Sequence, residues 1–298
     1  MSIVPLPPAW VESIAGHPAD GGPSGADWVA GLPGLVAAGL ERWDLVVDGP
    51  PHTGRTAVVI PVRRGAEQLA LKVVWPHAEG AHEALALRIW GGDGAVRLVA
   101  ALPSDGLLLL ERLDANLDLT GVWDAEACEV VGGLLARLHV HAPPQVPRLA
   151  DQLAPHLARM AERPAVPRRI ADRTRGLARD LLPEAPETLL HTDLHYENVL
   201  HSPDSGWTAV GPEPLAGHPG FEVWPVLRNR VGEMGIGASL RWSVRHRLAV
   251  VSEAAGIDPD EARAWTLLRA GLEVSRASTL EAGDSVTTCV ALHKAIDD

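Results

Sequence analysis

The chain has 298 residues, too many for one minimal domain and suited to two lobes that share a cleft. Hydrophobic residues at 46% and charged residues at 21% exclude a disordered or fibrous protein, and a formal net charge of −12 excludes a nucleic-acid partner, whose phosphates call for clustered Lys and Arg. Two cysteines, Cys128 and Cys289, outside any CxxC or Cys/His spacing, exclude a disulfide framework and a zinc site.

From the N-terminus, Met1–Trp10 shows no basic stretch followed by an apolar one. No run approaches the roughly 20 apolar residues that cross a bilayer, so a cytoplasmic protein with no membrane partner is expected. Trp43–Val47, Thr56–Arg63 and Gln68–Val74 are short apolar runs separated by Gly-containing turns, which predicts an antiparallel β start. In Ala78–Trp90, Glu83, Leu87 and Trp90 share one helical face, and Gly91 and Gly92 stop the helix. Strand character returns over Val96–Ala101 and Gly106–Glu111, where four consecutive leucines suit a buried strand.

After Leu113 the texture becomes helical, beginning with Ala125–His139, so a boundary is expected near residues 113 to 121. The division is drawn as 1–113, a nucleotide-binding lobe, and 114–298, a helical lobe. Pro-rich turns fall at 142–147 and 164–169. A β island at Thr188–His191, Val199–Ser202 and Trp207–Val210 interrupts the helices, which resume near Phe221 and include Ser239–Ala255 and Pro259–Leu272.

The most informative stretch, His191-Thr192-Asp193-Leu194-His195-Tyr196-Glu197-Asn198, lies between two of these short strands. Its Asp193 and Asn198 stand five apart, the spacing of a kinase catalytic loop. A carboxylate there orients and deprotonates a hydroxyl nucleophile, and a neutral amide oxygen suits a hard cation that also binds phosphates.

With AVVIPVRR (57–64), the stretch 69–98, LLLERLD (108–114), LLHTDLHYENVL (189–200), PLAGHPGFEVWPVLRNR (214–230) and EARAWTLLRA (261–270), the sequence resembles the aminoglycoside/hydroxyurea phosphotransferase family, close to streptomycin 6-kinases. The resemblance implies an α+β, protein-kinase-like bilobal fold. It has a small antiparallel β N-lobe with one main helix and a larger, mostly helical C-lobe. It also implies ATP and Mg2+ as cofactors and transfer of the γ-phosphate to a small-molecule hydroxyl, as in antibiotic inactivation.

Carried over residue by residue, Lys72 contacts the ATP phosphates and pairs with Glu83, with Glu79 as a substitute partner. Glu111, Arg112 and Leu113 form the hinge that offers backbone groups to adenine. Asp48–Thr56 covers the phosphates without a full Gly-rich signature. Asp193 is the base and Asn198 a metal ligand. In the related kinases Asp-Pro-Lys follows the next strand and its Asp holds magnesium, but here the positions read Gly211-Pro212-Glu213. Three readings follow: Glu213 swings in as the replacement ligand, with His218 and Glu222 just downstream; the chain is an inactive variant; or the fold hosts another reaction. Glu222 and Glu273 are the acidic residues of an acceptor pocket for a cationic or polyhydroxylated small molecule such as streptomycin. Two functions fit: this phosphotransferase, or a kinase-fold pseudoenzyme that binds a ligand without transferring phosphate.

Overall fold

A computed structural model describes residues 6–19, 22–78, 80–160, 166–278 and 285–297. Glu79 and the start of the Pro-rich turn at 164–169 lie outside the described residues. The chain forms two compact units, one of residues 1–117 with 200–208, the other of residues 118–199 with 209–298.

The first unit begins with α1 (Pro8–Ala15) and α2 (Gly25–Arg42), then β1 (Val46–Val47), β2 (His52–Thr53), β3 (Ala57–Arg64), β4 (Glu67–Val74), α3 (Glu83–Trp90), β5 (Leu98–Leu102) and β6 (Leu107–Glu111). The strands make one antiparallel sheet in the order β1-β3-β4-β6-β5, with β2 paired to β3. Alternate residues Val58, Ile60 and Val62 on β3, Leu69, Leu71 and Val73 on β4, and Leu107 and Leu109 on β6 form one buried face. Leu108 and Leu110 are buried as well, so β6 is covered on both faces.

Helix α2 is the main addition to the expected layout. Pro33 and four glycines lower its helix propensity, and a pattern of this kind reads as loop. Burial of Trp28, Leu32 and Val36 on one face overrides that cost. Gly39 lets it close on the sheet, since a Cβ there would sit 3.2 Å from both Leu71 methyls. Trp43 becomes the C-cap of α2, which cuts the first expected strand to two residues. Helix α3 starts at Glu83, later than expected, and ends as expected at left-handed Gly91.

Next come β7 (Asp114–Asp118), α4 (Asp124–Leu138), α5 (Leu149–Met160), α6 (Arg168–Leu181), β8 (Thr188–Leu190), β9 (Val199–Ser202), β10 (Gly206–Ala209), β11 (Leu215–Gly217), α7 (Trp224–Leu227), α8 (Ala238–Ala255), α9 (Pro259–Ala277) and α10 (Val286–Asp297). The expected β island divides: β9 and β10 join β7 in a three-stranded sheet, while β8 pairs with β11. Within the second unit α4 lies on α8 at Gly132, where a Cβ would meet the Ala254 Cβ at 2.5 Å. Helix α9 packs against α6 and α10. Helix α5 packs on β11, and the short turn Pro219–Glu222 packs on both β8 and α9, next to the loop that follows β8.

Candidate active site

The loop from His191 to Asn198 is fixed mainly by its backbone. Thr192 has φ +62, a left-handed conformation that costs a β-branched residue about 1–3 kcal/mol. Three hydrogen bonds hold it there. Its N–H donates to Glu222 Oε1 at 2.7 Å, its hydroxyl donates to the Glu213 carbonyl at 2.6 Å, and its carbonyl accepts from Arg269 Nη2 at 2.6 Å. His191 is fully buried; its Nδ1 accepts from Asp193 N at 3.3 Å, which leaves the proton on Nε2 to reach the Val210 carbonyl at 3.1 Å.

The turn brings Asp193 and Asn198 together. Asn198 Nδ2 donates to the Asp193 carbonyl at 2.8 Å and approaches its carboxylate at 3.3 Å. Arg228 Nη2 stands 3.5 Å from the other carboxylate oxygen, and His195 Nε2 is 3.7 Å away. Asp193 is therefore faced by donors on both oxygens. Behind it Tyr196 is fully buried: its N–H donates to Asn229 Oδ1 at 2.9 Å and its hydroxyl to Asp124 Oδ1 at 3.1 Å. Burial would push the Asp124 carboxyl up, but hydrogen bonds from Arg230 and Arg247 hold it below the usual range. Cys128, against the Tyr196 hydroxyl, is pushed up to about 11 by burial, so its thiol stays protonated and inert at neutral pH.

Gly211 has φ +66, and a Cβ built on it would have the Asn198 amide as its nearest neighbour, 3.6 Å from Oδ1. Position 211 is thus next to the metal-ligating atom expected of Asn198. Glu213, two residues on, is anchored through its backbone. Its N–H donates to the His191 carbonyl and its carbonyl accepts from Thr192, which ties its main chain to the loop backbone. Among the described residues no three of His, Cys, Asp and Glu gather where a metal could sit. A hard divalent cation takes about six or more oxygens. Magnesium usually takes only one or two protein groups and completes its shell with waters and substrate phosphates, and Asn198 Oδ1 and the Asp193 carboxylate, brought together by the turn, are the protein oxygens that would face it.

The acceptor-pocket assignment of Glu222 is corrected. Glu222 is 0% exposed, and Oε1 accepts from the N–H groups of His191 and Thr192 at 2.5 and 2.7 Å while Oε2 pairs with His139 Nε2 at 2.7 Å. Burial alone would raise its pKa, but the bond and charge of His139 and the Thr192 N–H together hold it low. It is a brace for the loop, with no oxygen left for an acceptor. Glu273 keeps a side chain 20% exposed, 3.7 Å from Arg276 and 3.9 Å from Arg269. His218 accepts from Gly220 N, lies 3.3 Å from Glu261 and stacks on Trp265 at 4.9 Å. It caps the start of a short helical turn.

In the first unit Lys72 Nζ meets Glu83 Oε1 at 2.6 Å. Lys72 lies opposite Val59 and Leu108 on β4, and Glu83 opens α3, so both come from regular elements. At the expected hinge, Glu111 N donates to the Arg97 carbonyl, which removes that N–H from use by a base. Arg112 donates to the carbonyls of Leu69 and Val62 and pairs with Asp48 at 3.0 Å. The main chain of Arg112 and Leu113 is the part left for the expected role.

Sequence reasoning missed His139, Arg228 and Arg269. Arg269 on α9 is buried and donates to the carbonyls of Phe221 and Thr192. Burial lowers its pKa, while Glu273 and Asp193 oppose that and Arg228 and Arg276 reinforce it. A signal did exist: LRNR, just after the Glu222 segment, puts two arginines in an otherwise apolar stretch.

The sequence matches the aminoglycoside/hydroxyurea antibiotic resistance kinase family over residues 42–282. It is 40% identical over 260 residues to a streptomycin 6-kinase of Streptomyces griseus, covering 84% of each chain. A hydroxyurea phosphotransferase of Kitasatospora aureofaciens is 42% identical over 283 residues, covering 90% of this chain and 78% of the relative. Among solved structures, a thermostable mutant of aminoglycoside phosphotransferase APH(4)-Ia, in ternary complex with AMP-PNP and hygromycin B, has a TM-score of 0.58. At 14% identity over 89% of this chain and 98% of that one, it shows a shared fold. With its α+β architecture and these relatives, the chain belongs to the aminoglycoside/hydroxyurea antibiotic resistance kinase family.

Proposed function

We propose that this chain is an ATP-dependent O-phosphotransferase that inactivates an antibiotic-like small molecule by moving the γ-phosphate onto one of its hydroxyls. The observation that carries this reading is the loop in which Asp193 and Asn198 are held 3.3 Å apart by a backbone fixed at Thr192. Residues 1–113 hold the nucleotide: Lys72, aligned by Glu83, takes its phosphates, and the main chain at Arg112 and Leu113 meets the base. Residues 114–298 hold the acceptor, with Asp193 as the base that receives its hydroxyl proton. Glu273 is the acidic side chain for a cationic group, which suits an aminoglycoside; hydroxyurea, the other acceptor named among the relatives, carries none. Magnesium brought with the nucleotide would supply charge neutralisation, and Asn198 is the side chain that would hold it.

Transfer of labelled γ-phosphate from ATP to streptomycin, and separately to hydroxyurea, tests the reading. Label reaching neither acceptor, with no ATP turnover, would overturn it. In the same assay Lys72→Ala should lower kcat/KM for ATP by roughly 10–100-fold, the worth of one charged hydrogen bond. Gly211→Asp should tighten ATP binding in magnesium by about tenfold and leave binding in chelator unchanged, because its carboxylate would stand beside Asn198 Oδ1. Asp is among the side chains that tolerate a left-handed backbone. Calorimetry in the two buffers reads the difference directly.

A further inference from the structure

Helices α1 and α2 carry none of the motifs described above, yet α1 reaches the strands beside Lys72. Trp10, on α1, donates from its indole Nε1 to the carbonyl of Gly54 at 2.6 Å, a bond that spans 44 residues. Gly54 opens the turn 54–57 between β2 and β3, and its own N–H closes that turn on the Ala57 carbonyl at 2.9 Å. The far side of the turn is tied as well. The Thr56 carbonyl accepts from Trp75 N at 2.8 Å, and the Trp75 indole in turn donates to the carbonyl of Pro23, in the connection from α1 to α2, at 3.0 Å. Trp10 is partly buried and packs edge-on against Trp28 of α2, ring centroids 6.2 Å apart, while Trp28 and Trp75 are themselves core residues. The carbonyls of Gly54 and Thr56 are thus both held by donors from outside the turn.

We propose that Trp10 is a positioning residue for ATP: its indole bond fixes the turn 54–57 over the phosphates, which makes α1 part of the nucleotide site. The inference rests on the reading of Lys72 as the phosphate contact. His52 on β2 and Lys72 on β4 both lie opposite Val59 on β3, so the row that contains Lys72 crosses β2 two residues before Gly54. At about 3.3 Å per residue the turn begins about 7 Å beyond that row, within the reach of a triphosphate that Lys72 touches. The segment from Asp48 to Thr56 lacks a full Gly-rich signature, and Gly54 and Arg55 are exposed. A surface turn held only by its own hairpin bond is mobile, and a ligand that binds it must first order it. Trp10 removes that cost, because a large, stiff side chain seated against Trp28 holds the Gly54 peptide in one orientation before any ligand arrives. Loss of the indole N–H therefore weakens the hold on phosphates although Trp10 touches none of them.

The test compares the full wild-type chain with Trp10→Phe, which keeps an aromatic ring against Trp28 and removes the donor. Calorimetry in magnesium measures the affinity of each for ATP and for adenosine, which has no phosphates for the turn to cover. We expect Trp10→Phe to weaken ATP binding by at least about threefold and up to about tenfold, the worth of one neutral hydrogen bond, and to bind adenosine as wild type does. Unchanged adenosine binding also shows that the variant keeps its fold. A merely structural Trp10 would lower the melting temperature and weaken both ligands alike or neither. ATP binding weakened less than about threefold, or ATP and adenosine weakened equally, overturns the proposal while leaving the nucleotide reading standing. A wild-type chain that binds no ATP sinks both.

Discussion

Asp193→Asn should lower kcat by about 10²–10⁴-fold, the usual contribution of a positioned general base. The substitution is close to isosteric, and Asp193 is a partly exposed residue at the end of a braced turn, so the melting temperature should hardly move. Asn cannot accept the hydroxyl proton, whereas its shape preserves the acceptor site. The loss should therefore fall on kcat, with KM for ATP nearly unchanged, and steady-state kinetics at saturating ATP separates the two. An Asp193→Asn enzyme within threefold of wild type would remove Asp193 from the chemistry.

Glu222→Ala should be the most destabilising single change at the site. It would leave the buried N–H groups of His191 and Thr192 and the Nε2 of His139 without their acceptor. Breaking a buried charged pair in this way costs about 3–5 kcal/mol, and in a chain of this size that lowers Tm by roughly 10 °C. Glu222→Gln keeps one oxygen for the two backbone donors and should cost about 1–2 kcal/mol. The pH dependence gives a second reading. The folded Glu222 pKa lies below the ordinary 4.5, so its stabilisation is fully present above that value and is lost as pH falls through the folded pKa. Acid melts below about pH 4.5 should therefore converge for wild type and Glu222→Gln, while the gap between them is largest near neutrality. A gap that stays constant into acid would mean that the carboxylate charge contributes nothing.

Much of the fold was legible because the relevant patterns are short. The alternating Val, Ile and Leu of β3 and β4, the four leucines of β6 and the Gly91 stop each declare an element within a few residues. Helix α2 was not legible, since its proline and four glycines argue against a helix and only the burial of Trp28, Leu32 and Val36 against distant strands decides for one. The Asp193 to Asn198 spacing is visible for the same reason as the strands. Glu222 was misread because its role depends on His139, 83 positions away, and on two backbone N–H groups that only the turn at Thr192 directs toward it. An acidic residue in sequence looks like solvent-facing charge until its partners are placed.

The Lys72–Glu83 pair also bears on how such an enzyme is governed. In protein kinases the matching pair is made or broken by movement of the helix that carries the Glu, and that movement is their on-off control. Here Glu83 is buried at the first residue of α3, whose inner face of Ala84, Ala86, Leu87 and Trp90 is buried with it, and Lys72 sits mid-strand between Leu71 and Val73, both fully buried. Opening this pair would mean pulling α3 out of its packing. The pair is therefore set by the packing of the folded unit itself, and its geometry should persist for as long as α3 stays on the sheet.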